Sequence, residues 1–440
     1  MLRMYGKVRG VLIVAPIRVC HLVWPLEVKK WKNFRHLKVN VMHGPKKRLW
    51  GVDADIHIIN PDGLPWLLAQ LKGKRTDAFP FDMLVVDEST LFKSYDSTRF
   101  KNIKKIVPRM KRRYILTGTP IPNGYLQLFS QMQIVDEGFS LGTKIGHYRS
   151  EYFKQTGPRE FNQWTLRDGQ ERRISRKIAP FVVRMSADDY LTLPPLTENR
   201  IWVDLPPKAR KAYDTLQEEM FAVIKGKEVY PPTAASLSQK LHQIANGRLY
   251  ENWDVEELGK VPPAKDRPQI LLHTEKLDAL EELLAELNGK PLFVGYWYYH
   301  DLQAMQSRFK NLRVLNSKTS TKEAAKIEYE WNAGKIPLLA AHPASVAHGL
   351  NFQKAGGHIC WYSLIHDFEM YDQFIKRLYR QGATGPISNH FLMARNTIDE
   401  HIYQSTVVDK QGRLLGFFDL AKRYYEAQTK HTSAPSFAVG

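Results

Sequence analysis

Two carboxylates and two arginines in this chain have the spacing that phosphoryl chemistry needs. Asp87-Glu88 closes the apolar run Met83-Leu84-Val85-Val86, and Thr117-Gly118-Thr119-Pro120 closes a second run, Tyr114-Ile115-Leu116. Adjacent carboxylates at a strand end can divide two tasks. Asp87 can hold a hydrated magnesium ion, and Glu88 can orient and deprotonate a water. Far along the chain Gln373, Arg377 and Arg380 stand at i, i+4 and i+7, so a helix over Tyr371–Gly382 would carry them on one stripe, with Phe374, Ile375 and Leu378 facing elsewhere. Two guanidinium groups fixed on one face can stabilise a phosphate that grows more anionic in the transition state. The plainer alternatives are solvated strand tips and a salt-bridged helix face.

Such residues need a scaffold. Short continuous apolar runs read as strands buried on both faces, the kind found in parallel sheets, whose ligands gather beyond the strand carboxyl ends. Val11 to Ala15 is another such run, stopped by Pro16, and Val39–Val41 and Asp55–Ile59 are further candidates. Phe181–Met185 reads as the last strand of this half. Helical spacing marks Lys208–Ile224 and Ala234–Asn246, and the charged, proline-bearing stretch Trp253–Pro268 reads as a loop. Strand and helix then alternate, which argues for a second parallel sheet. Helix Lys276–Leu287 precedes strand Pro291–Trp297, and Leu302, Met305 and Phe309 mark a helix before strand Leu312–Leu315. Ser320 and Glu323 form a capping box, followed by strands Ile336–Ala341 and Ile359–Tyr362.

Of the 440 residues, 64 are Lys or Arg and 45 Asp or Glu, a formal charge of +19. That excess points to an anionic polymer, nucleic acid before a membrane surface. Arg99 to Arg113 holds eight basic residues and no acid, with Lys104 and Lys105 as phosphate-contact candidates against the reading of a solvated face. The two cysteines, Cys20 and Cys360, exclude a thiolate-built zinc site and a disulfide framework, and fit a reducing cytoplasm. No apolar run reaches membrane-spanning length.

Taken in order, Asp87-Glu88 and Thr117–Pro120 resemble motifs II and III of superfamily-two helicases, most closely the Swi/Snf-like double-stranded DNA translocases and their bacteriophage relatives. Leu12–Trp31 is similar to motif Ia, Ala344–Phe352 to motif V and Tyr371–Gly382 to motif VI, and the likeness runs from about Val11 to Val407 in family order. It implies an α/β fold with two RecA-like parallel-sheet lobes and helical insertions. ATP and Mg2+ would bind in the cleft, with double-stranded DNA across both lobes. On this resemblance Asp87 binds the magnesium and Glu88 activates water. Arg377 and Arg380 stabilise the γ-phosphate, and Gly349, Asn351 and Gln373 join them on the nucleotide. Thr90, Thr117, Gly118 and Thr119 couple that site to DNA, which Pro16, Arg18, Thr119, Asn123, Lys104 and Lys105 contact. The chain departs from the family at Ser89-Thr90, where most members carry Ala-His, and at Ala383, where many carry Gln.

The expected organisation is a first lobe over residues 1–204 with an aromatic insertion at about 137–175. A helical linker follows over 205–268, then a second lobe over 269–425 and a disordered tail over 426–440. The phosphate-binding pattern Gly-x-x-x-x-Gly-Lys-Ser/Thr is absent from the sequence. In the family the strand feeding that loop is internal, so the first lobe is expected to be incomplete, with two strands left with open edges. Three explanations stand: a reading frame that starts further upstream, an upstream-encoded polypeptide that supplies the loop, or loss of hydrolysis. The expected activity is ATP-dependent translocation on duplex DNA, with a non-hydrolysing DNA-binding or assembly subunit as the alternative.

Overall fold

The computed structural model describes residues 6–156, 163–183, 193–226, 231–251, 262–346 and 349–410, together with Gly412. The chain divides into two compact units, parted between Met185 and Ser186.

The first unit is built on a parallel sheet. Its strands are β1 (Val11–Val14), β2 (Val39–Val41), β3 (Ile56–Ile59), β4 (Met83–Asp87) and β5 (Arg112–Leu116), in the order β2-β3-β1-β4-β5. The central strands are apolar on both faces because both faces are covered. Leu12, Val14, Leu84 and Val86 pack against Leu64, Leu67, Phe100, Ile103 and Ile106 on one side. On the other, Ile13, Ile58 and Val85 meet Val19, Cys20 and Val28. Of the two open edges expected, one is present among the described residues. β1 pairs with both β3 and β4, and β4 with both β1 and β5. Among the described residues the open edge on this side belongs to β5 alone. There Tyr114 and Leu116 remain 44% and 46% exposed, so β5 is not the doubly buried strand its apolar run predicts.

The aromatic stretch after the first sheet forms helix Ile145–Tyr152, the antiparallel pair β6 (Phe153–Thr156) and β7 (Gln163–Leu166), and helix Gln170–Ile178. Tyr148, Tyr152 and Phe153 are buried, and Tyr148 packs 5.4 Å from Phe129, ring to ring. Phe161 lies outside the described residues. The strand expected at Phe181–Met185 is instead the end of a 3-10 turn, Ala179–Phe181, with Val182 extended beyond it and the last two positions outside the described residues.

The second unit holds a six-stranded, all-parallel sheet. Its strands are β8 (Leu196–Val203), β11 (Leu292–Gly295), β12 (Arg313–Leu315), β13 (Leu338–Ala341), β14 (His358–Trp361) and β15 (Ile387–Ala394), ordered β12-β13-β11-β14-β15-β8. A short antiparallel pair, β9 (Arg248–Tyr250) with β10 (Gln269–Leu271), lies beside it in sequence. Two boundaries differ from expectation. Residues up to 204, assigned by sequence to the first lobe, include β8, which pairs along its whole length with β15 from Leu196↔Ile387 to Val203↔Ala394. The expected linker over 205–268 is part of the same unit. Its helices Pro207–Gly226 and Pro231–Ala245 bury Ala209, Tyr213, Leu241, Ile244 and Ala245 in the core that also holds Leu280, Leu292 and Leu392. The proposed disordered tail lies outside the described residues.

A buried ion pair ties this core together. Lys276 Nζ lies 2.6 Å from Asp399 Oδ2, and both side chains are fully buried. Lys276 also donates to Asn246 Oδ1 at 2.7 Å, and the Ala394 amide donates to Asp399 Oδ2 at 2.9 Å. Burial pushes the neighbouring His242 down to about 4, so it is neutral at pH 7. Removing one member strands the other charge in a low-dielectric core. Asp399→Ala is therefore expected to cost about 3–5 kcal/mol, and the paired Lys276→Met/Asp399→Leu change much less. Denaturant titration of the two variants checks the difference.

Candidate nucleotide and DNA half-sites

In the first unit the candidate residues sit where β4 and β5 end. Asp87 is the last residue of β4, and its half-buried carboxylate accepts from Trp24 Nε1 at 2.9 Å. Desolvation raises its pKa, opposed by the indole and a backbone amide. Glu88 follows in the left-handed region, φ 59°, a conformation that non-glycine residues adopt rarely and that clusters at functional sites. That turn points its carboxylate at two hydroxyls. Thr90 Oγ1 donates to Glu88 Oε1 at 2.9 Å, and Thr117 Oγ1 donates to the same oxygen at 3.1 Å. Thr117 Oγ1 in turn accepts from the Thr119 amide at 3.1 Å. The carboxylate after β4 is thus bonded to the loop after β5. Thr119 is buried, while Gly118 lies on the exposed bend beside it.

A second link runs in parallel and is not visible in sequence. Ser89 Oγ donates to Gln131 Oε1 at 2.6 Å, and Gln131 Nε2 donates to the Pro120 carbonyl at 2.7 Å. Gln131 is buried in helix Leu128–Asp136 beside Ser130 and Gln133, which are buried as well, so no local pattern singles it out. Ser89 stands where most family members carry Ala, so the departure is answered by a glutamine across the loop. Gln131→Ala would leave a buried hydroxyl and a carbonyl unpartnered. It is expected to lower stability by about 1–3 kcal/mol, read from the shift in urea midpoint.

Among the other residues singled out, Pro16 caps helix Ile17–Leu22 and is buried, and Arg18 is half-buried, its pKa lowered by desolvation. Asn123 is exposed, its amide donating to Gln127 Oε1 at 3.2 Å. Lys104 and Lys105 are exposed on helix Thr98–Ile106, whose Phe100, Ile103 and Ile106 face the core. Lys104 Nζ lies 5.6 Å from the centre of the Tyr95 ring.

In the second unit the arginines are placed differently from expectation. The helix ends at Ile375, with Lys376 as its cap, so no single stripe carries Gln373, Arg377 and Arg380. The Arg377 carbonyl accepts from the Phe352 amide at 2.9 Å and so is taken away from helix continuation. Its guanidinium donates from Nε to the Gln373 carbonyl at 3.0 Å and from Nη1 to the Leu350 carbonyl at 2.9 Å. Arg377 thereby clamps the loop of Gly349, Leu350 and Asn351, in which Gly349 takes φ 82°, a value a side chain would strain. Arg380 is exposed and donates to Asn351 Oδ1. The Asn351 amide donates to Glu328 Oε1 at 3.0 Å. Burial raises the Glu328 pKa, and the two arginines oppose that rise. Glu328, on helix Thr321–Asn332, is a second residue that sequence reading missed.

The donor set fits a magnesium ion in a limited sense. No group of three or more potential metal-ligating side chains is assembled among the described residues. Magnesium keeps most of its waters and needs only one or two carboxylates plus phosphate oxygens, which a single desolvated Asp87 can satisfy.

Two parallel α/β sheets, a carboxylate pair whose Glu88 is bonded to a Thr-Gly-Thr-Pro loop in one unit and two arginines bonded to the Gly349–Asn351 loop in the other define a Swi/Snf-like helicase of superfamily two. Residues 1–249 match the family model described as the SNF2-related domain, and the chain belongs to that family. It is 32% identical over 418 residues to putative protein p41 of Acyrthosiphon pisum secondary endosymbiont phage 1, covering 91% of this chain and 85% of that one. It is 24% identical over 328 residues to the human DNA annealing helicase and endonuclease ZRANB3, covering 72% of this chain and 28% of that much longer protein. Among solved structures, the Sulfolobus solfataricus SWI2/SNF2 ATPase core in complex with dsDNA aligns over 96% of this chain and 87% of its own, at 19% identity and a TM-score of 0.37. No helix among the described residues is long and apolar enough to cross a membrane.

Proposed function

We propose that the protein is an ATP-dependent translocase on double-stranded DNA, acting in the cytoplasm of the cell that carries that DNA. The observation that carries this reading is the Thr117–Glu88 hydrogen bond. It makes the position of a water-activating carboxylate depend on the Thr-Gly-Thr-Pro loop, which is what coupling hydrolysis to DNA movement requires. Asp87 would hold the magnesium ion, which supplies charge neutralisation to the β- and γ-phosphates when bound. Glu88 would orient the attacking water and take its proton. Arg380 and Arg377 would stabilise a γ-phosphate, and Gly349, Asn351 and Gln373 would shape the arginine half-site. Thr90, Thr117, Gly118 and Thr119 relay the state of that site to DNA, which Pro16, Arg18, Thr119, Asn123, Lys104 and Lys105 contact. Binding of this kind rests on phosphates and falls steeply with salt.

Turnover further needs backbone amides and a lysine around the β- and γ-phosphates, which this sequence does not encode in the usual pattern. The open edge of β5, with Tyr114 and Leu116 exposed beside it, supports a reading in which one more parallel strand docks there. Its carboxyl-end loop would then arrive beside Thr117 and Glu88. That strand would come with the Walker A segment, encoded upstream either in the same reading frame or as a separate polypeptide.

The test is ATP hydrolysis in linear duplex DNA, by the chain alone and with the product of the DNA immediately upstream. Duplex-stimulated turnover in either mixture is the expected result. No turnover in both, with duplex binding retained, would leave the second reading, a DNA-binding or assembly subunit that does not hydrolyse ATP.

A further inference from the structure

The segment between helix Trp24–Lys30 and β2 is unlike the rest of the first unit's surface. Residues 31–36 are all exposed, and they include two large rings, Trp31 at 54% and Phe34 at 45% exposure. Burying either ring would be favourable, so leaving both in water needs a reason. The rings alternate with cations: Lys29, Lys30, Lys32, Arg35 and Lys38. Lys30 pairs with Glu27, and Lys38 with Asp53. No carboxylate lies within ion-pair distance of Lys29, Lys32 or Arg35 among the described residues.

Trp31 is held in place rather than left loose. Its Nε1 donates to Glu27 Oε2 at 2.8 Å, a bond that lowers the Glu27 pKa, and Lys30 Nζ sits 5.3 Å from the ring centre. A ring pinned by its edge presents its faces without further ordering cost.

The topology sets this surface apart from the Asp87–Glu88 half-site. The helix Trp24–Lys30 leaves the carboxyl end of β1, and the chain re-enters the sheet at Val39, which pairs with Ile56, itself level with Val11 at the amino end of β1. Trp31–Lys38 therefore lies at the amino ends of the strands, whereas Asp87, Glu88 and Thr117 lie at their carboxyl ends. Trp50, 37% exposed, stands near Lys74, which leads from helix Leu64–Leu71 toward the start of β4, so the same end carries a further ring and cation.

Unpaired bases offer flat faces for rings, and their backbone offers phosphates for the cations between them; duplex DNA hides its base faces. We propose that Trp31 and Phe34, with Lys29, Lys32 and Arg35, form a second nucleic-acid site that takes single strands by stacking, separate from the Asp87–Glu88 half-site at the strand carboxyl ends. It does not depend on ATP hydrolysis or on a phosphate loop being supplied.

The test uses the full chain with fluorescein-labelled dT20 and a labelled 20-base-pair duplex, read by anisotropy at several salt concentrations. Trp31→Ala/Phe34→Ala is expected to weaken dT20 binding by about tenfold or more and duplex binding by less than about twofold. Trp31→Phe/Phe34→Tyr keeps two rings and should restore dT20 binding, which separates lost stacking from lost fold. Lys29→Gln/Lys32→Gln/Arg35→Gln should lower the salt slope for dT20 by roughly two. The proposal is overturned if the alanine pair leaves dT20 affinity unchanged, as it would were the rings a protein-docking surface, or weakens both ligands equally. Because duplex binding and ATP turnover are measured apart from dT20 binding, failure here leaves the translocase reading untouched, and the converse also holds.

Discussion

Arg380→Ala is expected to lower duplex-stimulated ATP turnover by about 10³-fold or more, with little change in folding stability. Arg380 is exposed, and the partner shown for it is the Asn351 side-chain amide, which can turn to water when the guanidinium is gone. Arg377 behaves differently. It binds two main-chain carbonyls and lends its own carbonyl to Phe352, so Arg377→Ala should lower both turnover and stability. Measuring kcat beside the thermal midpoint for the two variants separates a charge aimed at phosphate from a charge that shapes its loop. Lys at 380 should not rescue Ala fully, since a point charge lacks the planar fork of donors. Equal turnover in Arg380→Ala and the parent would remove this residue from the phosphate chemistry.

Glu88→Gln is expected to reduce turnover by about 10²- to 10⁴-fold while nucleotide and duplex affinity persist. The amide is nearly isosteric and can still accept from Thr90 and Thr117, so the loop after β5 should keep its position. What it cannot do is take a proton. The discrimination lies in measuring kcat beside nucleotide and duplex affinity: the first should fall and the other two hold. Thr117→Val offers the complementary case. It keeps the base and removes one hydroxyl, so basal hydrolysis should survive better than its stimulation by duplex.

The parts of this fold that could be read from sequence are those fixed by local pattern. β1, β4, β11, β13 and β14 are short apolar runs covered on both faces, and the run alone marks them. The helix over Glu275–Leu287 shows its buried leucines at helical spacing. β5 has the same apolar look but a different environment, because the burial of a strand depends on neighbours that the run does not name. β15 carries no such mark: Ile387-Ser-Asn-His-Phe-Leu-Met-Ala mixes polar residues into a buried strand, and of the Asn389 side chain only Nδ2 is bonded, donating to Tyr371 Oη at 3.1 Å. The arginine half-site was legible as residue types but not as geometry. Spacing predicted a helix, whereas the competing hydrogen bonds of Arg377 to distant carbonyls ended it. Trp24 on Asp87 and Gln131 beneath Ser89 span 63 and 42 residues, and no window on the sequence brings such pairs together.

The pairing of β8 with β15 bears on how the molecule can be dissected. A fragment beginning at residue 205, where the sequence invites a cut, would shear off a full-length neighbour and bare eight residues of β15, a raw flank inviting self-association. A fragment beginning at Ser186 keeps that flank sheathed and retains both helices that seal the core around Tyr213. Only the longer piece is fit for weighing the arginine half by itself.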